Sequence, residues 1–193
     1  MRKTFAVLVF IVALLAFAPS SSRAQAKKLP PPPPKPAMQP AEEALANWNE
    51  IGRKIIAMAD DFPEDKYNFK PAPEVRSFSG ILLHVAAVNY FFTNLAAGKE
   101  LSPAVDDAPA DKYPSKAAIV SYVKKSFADG SSVIREKGEA GMAREVKHPF
   151  DNRMIRLSSL VTDFALHSSE HYGNLVTYYR LNKLVPPESR PRR

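Results

Sequence analysis

Helical periodicity is the feature of this sequence that most constrains its fold. From residue 41 onward, apolar residues recur at steps of three and four positions, as they do along one face of an α-helix. The periodic segments cover about 41–61, 77–97, 115–137 and 156–184. We find no internal repeat and no convincing strand. Because amphipathic helices bury their apolar faces against one another, the sequence predicts an all-α protein folded as a four-helix bundle.

The connections between the segments indicate where the helices begin and end and how they are joined. Ser77 is a good N-cap, Gly98 is a natural helix end, and Gly138 with Gly141 ends the third segment. The loop between the second and third helices is long, at about 16 residues, so we expect a crossover connection between helices 2 and 3. Residues 146–152 are predicted to form a loop or a short turn.

The first 26 residues are predicted to be a secretory signal peptide. The start is positively charged, residues 5–17 are almost entirely apolar, and small residues precede candidate cleavage points near Ala24 and Ala26. The apolar run is short for a membrane span, which needs about 20 residues. An uncleaved membrane anchor is the alternative. We expect the mature chain to be periplasmic or secreted, with no stable membrane insertion once the signal is removed.

The remaining segments differ in composition and charge. Residues 27–40 hold seven prolines and are predicted to form an extended linker, with a ligand for a partner domain as the alternative. The predicted bundle spans 41–187, and 188–193 is a basic tail. The net charge is +7, but the basic excess lies outside the predicted bundle, which is close to neutral. Because a nucleic-acid-binding domain normally carries a basic face, we expect no nucleic-acid partner.

The content of Cys and Gly excludes several classes of site. The chain has no Cys, which rules out disulfides, a Cys-type zinc site and a thiol nucleophile. It has only 7 Gly and no Gly-rich phosphate signature, so a P-loop or a dinucleotide-binding fold is not expected.

The histidines are the residues most informative about chemistry. His167 and His171 are four residues apart in the fourth predicted helix, so both rings project from one face and can share a metal ion. His84 lies on the apolar face of the second predicted helix and points into the bundle. The three predict a site for a divalent cation (Zn, Ni or another first-row ion) with open coordination positions. Hydrogen-bonded core histidines are the alternative.

Three further residues lie near this predicted site or near its helices. Asp163 is one turn before His167 and is a candidate fourth ligand or an acceptor for an imidazole N–H. Glu170 is a candidate base. Asp163 and Glu170 are therefore the candidate catalytic residues, and a solvent-facing charge is the alternative for each. His148, beside a proline in the last loop, is predicted to be a solvated or turn residue.

Two motifs carry a resemblance to a known family. They are SFSGILLHVA at 77–86, which contains His84, and HSSEHYGNLV at 167–176, which contains the histidine pair. The flanking segments FKPAPEVR, YYRLN and VPP fit the same pattern. Over about 41–187 the chain resembles the DinB/YfiT-like superfamily.

The resemblance implies a four-helix bundle with an unusual helix order and a divalent metal ion held by His84, His167 and His171. Members of the superfamily include thiol-dependent S-transferases and isomerases, which use a low-molecular-weight thiol activated at the metal. The predicted signal peptide sets this chain apart, because such thiols are scarce outside the cytoplasm. A homodimer is a further expectation from the family.

Three hypotheses for the function follow. The first is an exported metalloenzyme, a metal-dependent hydrolase or a thiol S-transferase-like protein acting on an unknown small-molecule substrate. In it the metal ion polarises the substrate, and Glu170 or Asp163 moves the proton. The second is a non-enzymatic bundle that binds a metal or a small ligand. The third is a structural or interaction module with histidines packed in its core.

Overall fold

Four long helices build the part of the chain that the structure, a computed structural model, describes, residues 37–99 and 107–191. They are α1 (Pro40–Asp61), α2 (Phe78–Ala96), α3 (Lys116–Met142) and α4 (Leu157–Leu181). The predicted four-helix bundle is confirmed, and each helix begins beside its predicted first residue. The predicted signal peptide, most of the proline-rich linker and the last two arginines lie outside the described residues.

Side-chain caps fix the starts of three helices. The Ser77 hydroxyl accepts a hydrogen bond from Gly80 N–H at 3.0 Å, and the Ser115 hydroxyl accepts one from Ala118 N–H at 3.2 Å. At α1, Gln39 and Glu42 form a reciprocal capping box. These bonds satisfy backbone N–H groups that have no partner within the helix.

The helices do not follow simple up-and-down order. Lys116, at the start of α3, donates a hydrogen bond to the Phe62 carbonyl just after α1, and Phe78, at the start of α2, stacks on Phe62 at 3.8 Å. The starts of α2 and α3 therefore lie at the same end of the bundle, and Asn89 of α2 bonds Ser126 of α3 farther along. The two helices run parallel, so their connection joins opposite ends of the bundle. The predicted crossover between helices 2 and 3 is confirmed.

Each helix packs mainly against two neighbours. α1 and α2 both contact α3 and α4, so consecutive helices α1 and α2 lie across the bundle from each other. α2 meets the length and hydropathy of a membrane span, with a mean hydropathy of 1.3, but 67% of that stretch is buried inside the bundle. This burial is the pattern of a core helix.

A short hairpin precedes α4. Strand β1 (Glu145–Lys147) pairs antiparallel with strand β2 (Met154–Arg156), with Val146 opposite Ile155. The expectation that the chain has no strand is therefore wrong here. Strands of three residues are too short to show an alternating pattern. Asn152 adopts a left-handed conformation in the turn between them, with φ 63°.

The segment α3 consists of two helical stretches that meet at Gly138. Gly138 leaves helical geometry at φ 54° and ψ −172°. This conformation is open to glycine because it lacks a Cβ atom. The long first stretch therefore ends at Gly138, as the sequence predicts, and a short second stretch continues to Met142.

The residues after α4 fold back on α1. A short 3-10 helix covers Pro187–Ser189, and Glu188 pairs with Arg53 while Arg190 pairs with Asp61. The first residues of the predicted tail therefore contact the bundle.

The centre of the core is built around Trp48. Its side chain is fully buried, its indole N–H donates to the Phe127 carbonyl at 2.9 Å, and its ring lies 5.1 Å from that of Phe92. Gly130 of α3 leaves the room that this ring occupies. A Cβ atom there would lie 2.2 Å from the ring.

We predict that Gly130→Ala lowers the free energy of unfolding by about 1–3 kcal/mol, because the ring cannot yield without losing its hydrogen bond. Gly173→Ala is the matched control. It is also a helical Gly→Ala change, but an added Cβ meets nothing within 4 Å. The control should be neutral or stabilising by about 0.5–1 kcal/mol. Urea unfolding of both variants checks this, and equal effects would contradict the role assigned to Gly130.

Candidate metal centre

Three histidines from two helices converge in the bundle. α2 supplies His84, and α4 supplies His167 and His171. The Nε2 atom of His167 lies 3.2 Å from Nε2 of His84 and 3.1 Å from Nε2 of His171. One ligand atom from each of the three lies within 4.8 Å of the other two. We call these residues the triad. The structure thus brings together all three histidines that the sequence singled out as ligands.

The spacing fits a small divalent cation. Zinc–nitrogen bonds are about 2.1 Å long, so two ligand nitrogens lie about 3.0 Å apart at a right angle and about 3.4 Å apart at a tetrahedral angle. The two observed separations fall between these values. Three imidazoles as the donor set suit zinc, nickel and other first-row ions. The residues present therefore fit the metal ion that the sequence predicts.

A carboxylate that the sequence analysis missed orients one triad ring. Asp107 Oδ1 lies 2.6 Å from Nδ1 of His84. Arg76 holds the same carboxylate through two hydrogen bonds, of 2.9 and 3.1 Å. With Nδ1–H of His84 donating to Asp107, its Nε2 atom presents a lone pair to the other two histidines. No periodicity marks Asp107, because it lies in the crossover connection.

The other two triad rings lack such a partner. Nδ1 of His167 and Nδ1 of His171 are buried and have no hydrogen-bond partner among the described residues. The carbonyl of Arg76 accepts a hydrogen bond from the Tyr178 hydroxyl at 2.6 Å, which ties the segment before α2 to α4 on this side of the triad.

The local environment keeps the half-buried rings of His167 and His171 neutral. Burial, and then the neighbouring His167, lowers the pKa of His171 from its usual 6.5 to about 4. Burial, and then His84, lowers the pKa of His167 as well. Burial alone would raise the pKa of Asp107, but hydrogen bonds from Arg76 and His84 outweigh it and hold that pKa below its usual range. At neutral pH the rings of His167 and His171 are thus neutral, the form that binds metals.

The two candidate catalytic carboxylates lie outside the triad. Glu170 is exposed on α4. Asp163 is also exposed, and its Oδ2 atom lies 3.7 Å from Nε2 of His148. Neither belongs to the group of converging ligand atoms. Their catalytic roles stay predictions.

His148 begins the hairpin turn, as one of the two predicted alternatives has it, but it is buried and the alternative of a solvated residue is wrong. Only 8% of its surface is exposed. Its backbone N–H donates to the Arg153 carbonyl at 2.7 Å within the hairpin turn, and Phe150 lies against its ring. The turn folds His148 inward, which its position beside a proline did not indicate.

A pocket of about 350 Å³ opens beside the triad. Triad residues, the hairpin turn and α4 all contribute to its wall. It is lined in part by His84, His167, His148, Phe150, Asp163 and Phe164. The triad thus borders a space large enough for a small ligand.

The fold and the triad together define a class of helical bundle with a three-histidine site. A family model described as the DinB superfamily matches residues 47–175. Because this match covers most of the chain, the protein belongs to the DinB superfamily. None of the curated proteins is similar enough to match.

Three solved structures share the fold. A DinB-like protein, YjoA of Bacillus subtilis, is 18% identical with a TM-score of 0.58, over 73% of this chain and 92% of its own. A mycothiol-dependent maleylpyruvate isomerase is 16% identical with a TM-score of 0.57, over 72% of this chain and 63% of its own. YfiT of Bacillus subtilis, described as a probable metal-dependent hydrolase with an unusual four-helix bundle topology, is 11% identical with a TM-score of 0.55, over 79% and 94%.

We predict that the metal-free protein loses stability as the pH is lowered from about 6.5 to about 4. In this window the unfolded chain takes up protons at His171 that the folded chain does not bind, because the folded pKa is about 4. The stability is therefore complete above the unfolded pKa and declines below it. Urea unfolding at several pH values, compared with a His171→Gln variant, checks this. The variant should show a shallower decline, and an identical decline would contradict the assignment.

We further predict that Asp107→Asn weakens the binding of Zn²⁺ by about tenfold to a hundredfold, since the carboxylate orients His84. Asp111→Asn is the control, because Asp111 is exposed in the short 3-10 helix that follows. Titration of each protein with Zn²⁺ against a competing chelator gives the affinities. Equal affinities for the two variants would show that Asp107 does not support the site.

Proposed function

We propose that this protein is an exported metal-dependent enzyme of the DinB superfamily, a hydrolase or a thiol S-transferase-like protein acting on a small molecule. The metal ion is held by His84, His167 and His171. One observation carries the proposal: three imidazole nitrogens converge with separations that suit a divalent cation, beside a pocket of about 350 Å³.

Different residues of the chain would have different roles in such a site. A divalent cation held by the triad supplies a Lewis acid that polarises the substrate and lowers the pKa of the group to be activated. Asp107 and Arg76 keep His84 in position. Asp163, which lines the pocket, is better placed to move a proton than Glu170, which is exposed on α4.

The similar structures support both reaction types without deciding between them. YfiT is described as a probable metal-dependent hydrolase, and the maleylpyruvate isomerase as mycothiol-dependent. We favour hydrolysis, because the N-terminal segment has the layout of a signal peptide and low-molecular-weight thiols are scarce outside the cytoplasm.

One observation favours a second candidate, a non-enzymatic bundle that binds a metal or a small ligand. Neither Glu170 nor Asp163 lies among the converging ligand atoms. A site that only sequesters a metal needs no acid or base beside it.

The first experiment expresses the full-length sequence without a tag and determines the mass and the bound metal of the purified chain. We predict a mature chain that begins near residue 25 or 27 and about one divalent ion per chain. His84→Ala and the double variant His167→Ala/His171→Ala should lose the ion and keep the helical circular dichroism spectrum. Elemental mass spectrometry gives the metal content.

The outcomes separate the hypotheses. Full occupancy in His84→Ala would contradict the triad as the ligand set. If the unmodified protein binds no metal after repletion with Zn²⁺ or Ni²⁺ and its fold is intact, the proposed metal centre is contradicted. The result would support the hypothesis that the histidines are packed in the core of a structural module. An uncleaved N-terminus would contradict the proposed export.

A further inference from the structure

We propose that the pocket beside the triad binds a small, non-anionic, largely apolar molecule that carries one metal-binding group, and that His148 is a hydrogen-bonding residue of its wall. This inference deepens the proposed function. The part of it that concerns the metal-binding group of the ligand rests on the proposed function, whereas the part that concerns the pocket wall rests on geometry that does not involve the metal.

His148 is a polar residue of the wall whose ring makes no hydrogen bond among the described residues. It is more than nine-tenths buried, and its Nδ1 atom has no hydrogen bond among the described residues. Asp151 Oδ1 lies 2.9 Å from Nδ1, but the two atoms are not aligned as a hydrogen bond. Nε2 lies 3.7 Å from Asp163 Oδ2, too far for a direct bond. Nε2 is the ring atom on the side of Asp163, which lines the pocket, so a polar ligand atom in the pocket can give Nε2 a hydrogen-bond partner.

Three of the other wall residues are apolar, and one of them offers a flat ring. Val88 and Phe164 line it from the helices, and Phe150 lines it from the hairpin turn. Phe150 is 64% exposed, although its ring stacks on Phe91 at 5.9 Å and 14°. The stacking holds the Phe150 ring in a defined orientation. An aromatic ligand packs well against such a surface.

The charges near the pocket disfavour an anionic body. Of the described residues that line it, none is Lys or Arg. Asp163 is its carboxylate, and Asp151, behind His148, is already paired with Arg153 at 2.6 Å. If the part of the ligand away from the metal were anionic, it would be repelled by Asp163, and no positive charge except the metal ion would attract it. The volume lies at the small end of usual ligand sites, about 300–1,000 Å³, which limits the ligand to a small molecule.

Two hydroxamic acids separate the metal from the pocket. Acetohydroxamic acid and benzohydroxamic acid carry the same metal-binding group, and only the second has an aromatic body. Calorimetry on the Zn²⁺-loaded protein should show that benzohydroxamic acid binds about tenfold more tightly. Phe150→Ala should weaken benzohydroxamic acid about fivefold and leave acetohydroxamic acid unchanged. Met154→Ala is the matched control, because Met154 is 60% exposed on the same hairpin and does not line the pocket.

A third probe tests His148. The hydroxyl group of 4-hydroxybenzohydroxamic acid can accept or donate a hydrogen bond at the far end of the ring. His148→Phe should weaken this probe about fivefold more than it weakens benzohydroxamic acid, and His148→Gln should restore most of the loss. Equal affinities for the two smaller acids, or a Phe150→Ala effect no larger than that of Met154→Ala, would overturn the proposed pocket.

A metal-free arm distinguishes failure of the pocket from failure of the metal centre. If acetohydroxamic acid does not bind, the metal centre has failed, and benzamide is then titrated into metal-free protein. The ring signals of His148 in NMR, identified by their loss in His148→Gln, report the contact. A saturable shift that Phe150→Ala abolishes would uphold the pocket without the metal, and no shift would overturn it.

Discussion

The antiparallel contact between α2 and α4 is the interaction on which the candidate site depends. It brings His84 of one helix to His167 and His171 of the other, and it removes the rings partly from water. Burial favours the neutral form of His167 and His171. Nε2 of His167 lies within hydrogen-bond distance of both other Nε2 atoms, but in a neutral ring it carries at most one proton to share. A divalent cation would accept a lone pair from all three Nε2 atoms at once, so the burial that builds the core also prepares a candidate metal site.

The unusual helix order adds a second constraint. Because α2 and α3 run parallel, their connection has to pass from one end of the bundle to the other. Asp107 lies in this connection, next to His84 and Arg76. A simple hairpin between the two helices would offer no such segment beside the middle of α2. The crossover is therefore part of how the site is assembled, as well as a feature of topology.

The features that could be predicted from the sequence are those that follow from helical periodicity. The three-and-four periodicity gave the helices, and the four-residue spacing of His167 and His171 with the inward position of His84 gave the triad. The places of Asp107 beside the triad and of His148 in the pocket wall could not be predicted, because tertiary packing decides them. Asp107 belongs to an irregular connection, and His148 is turned inward by a hairpin whose strands have three residues each. The uncertain roles of Asp163 and Glu170 have the same origin, since helical spacing gives a face but not a distance.

The site is thus built from two kinds of structure with different tolerance to change. The triad residues lie on long helices whose packing is fixed by the core, whereas much of the pocket wall lies in a hairpin turn of a few residues. A substitution in the turn can alter the ligand with little effect on the bundle, because loops bear less of the packing. Similar folds at 16% and 11% identity are described as an isomerase and as a probable hydrolase, which shows that this fold alone does not determine the reaction. If this chain is the enzyme that we propose, the residues around His148 would select its substrate and the triad would supply its chemistry.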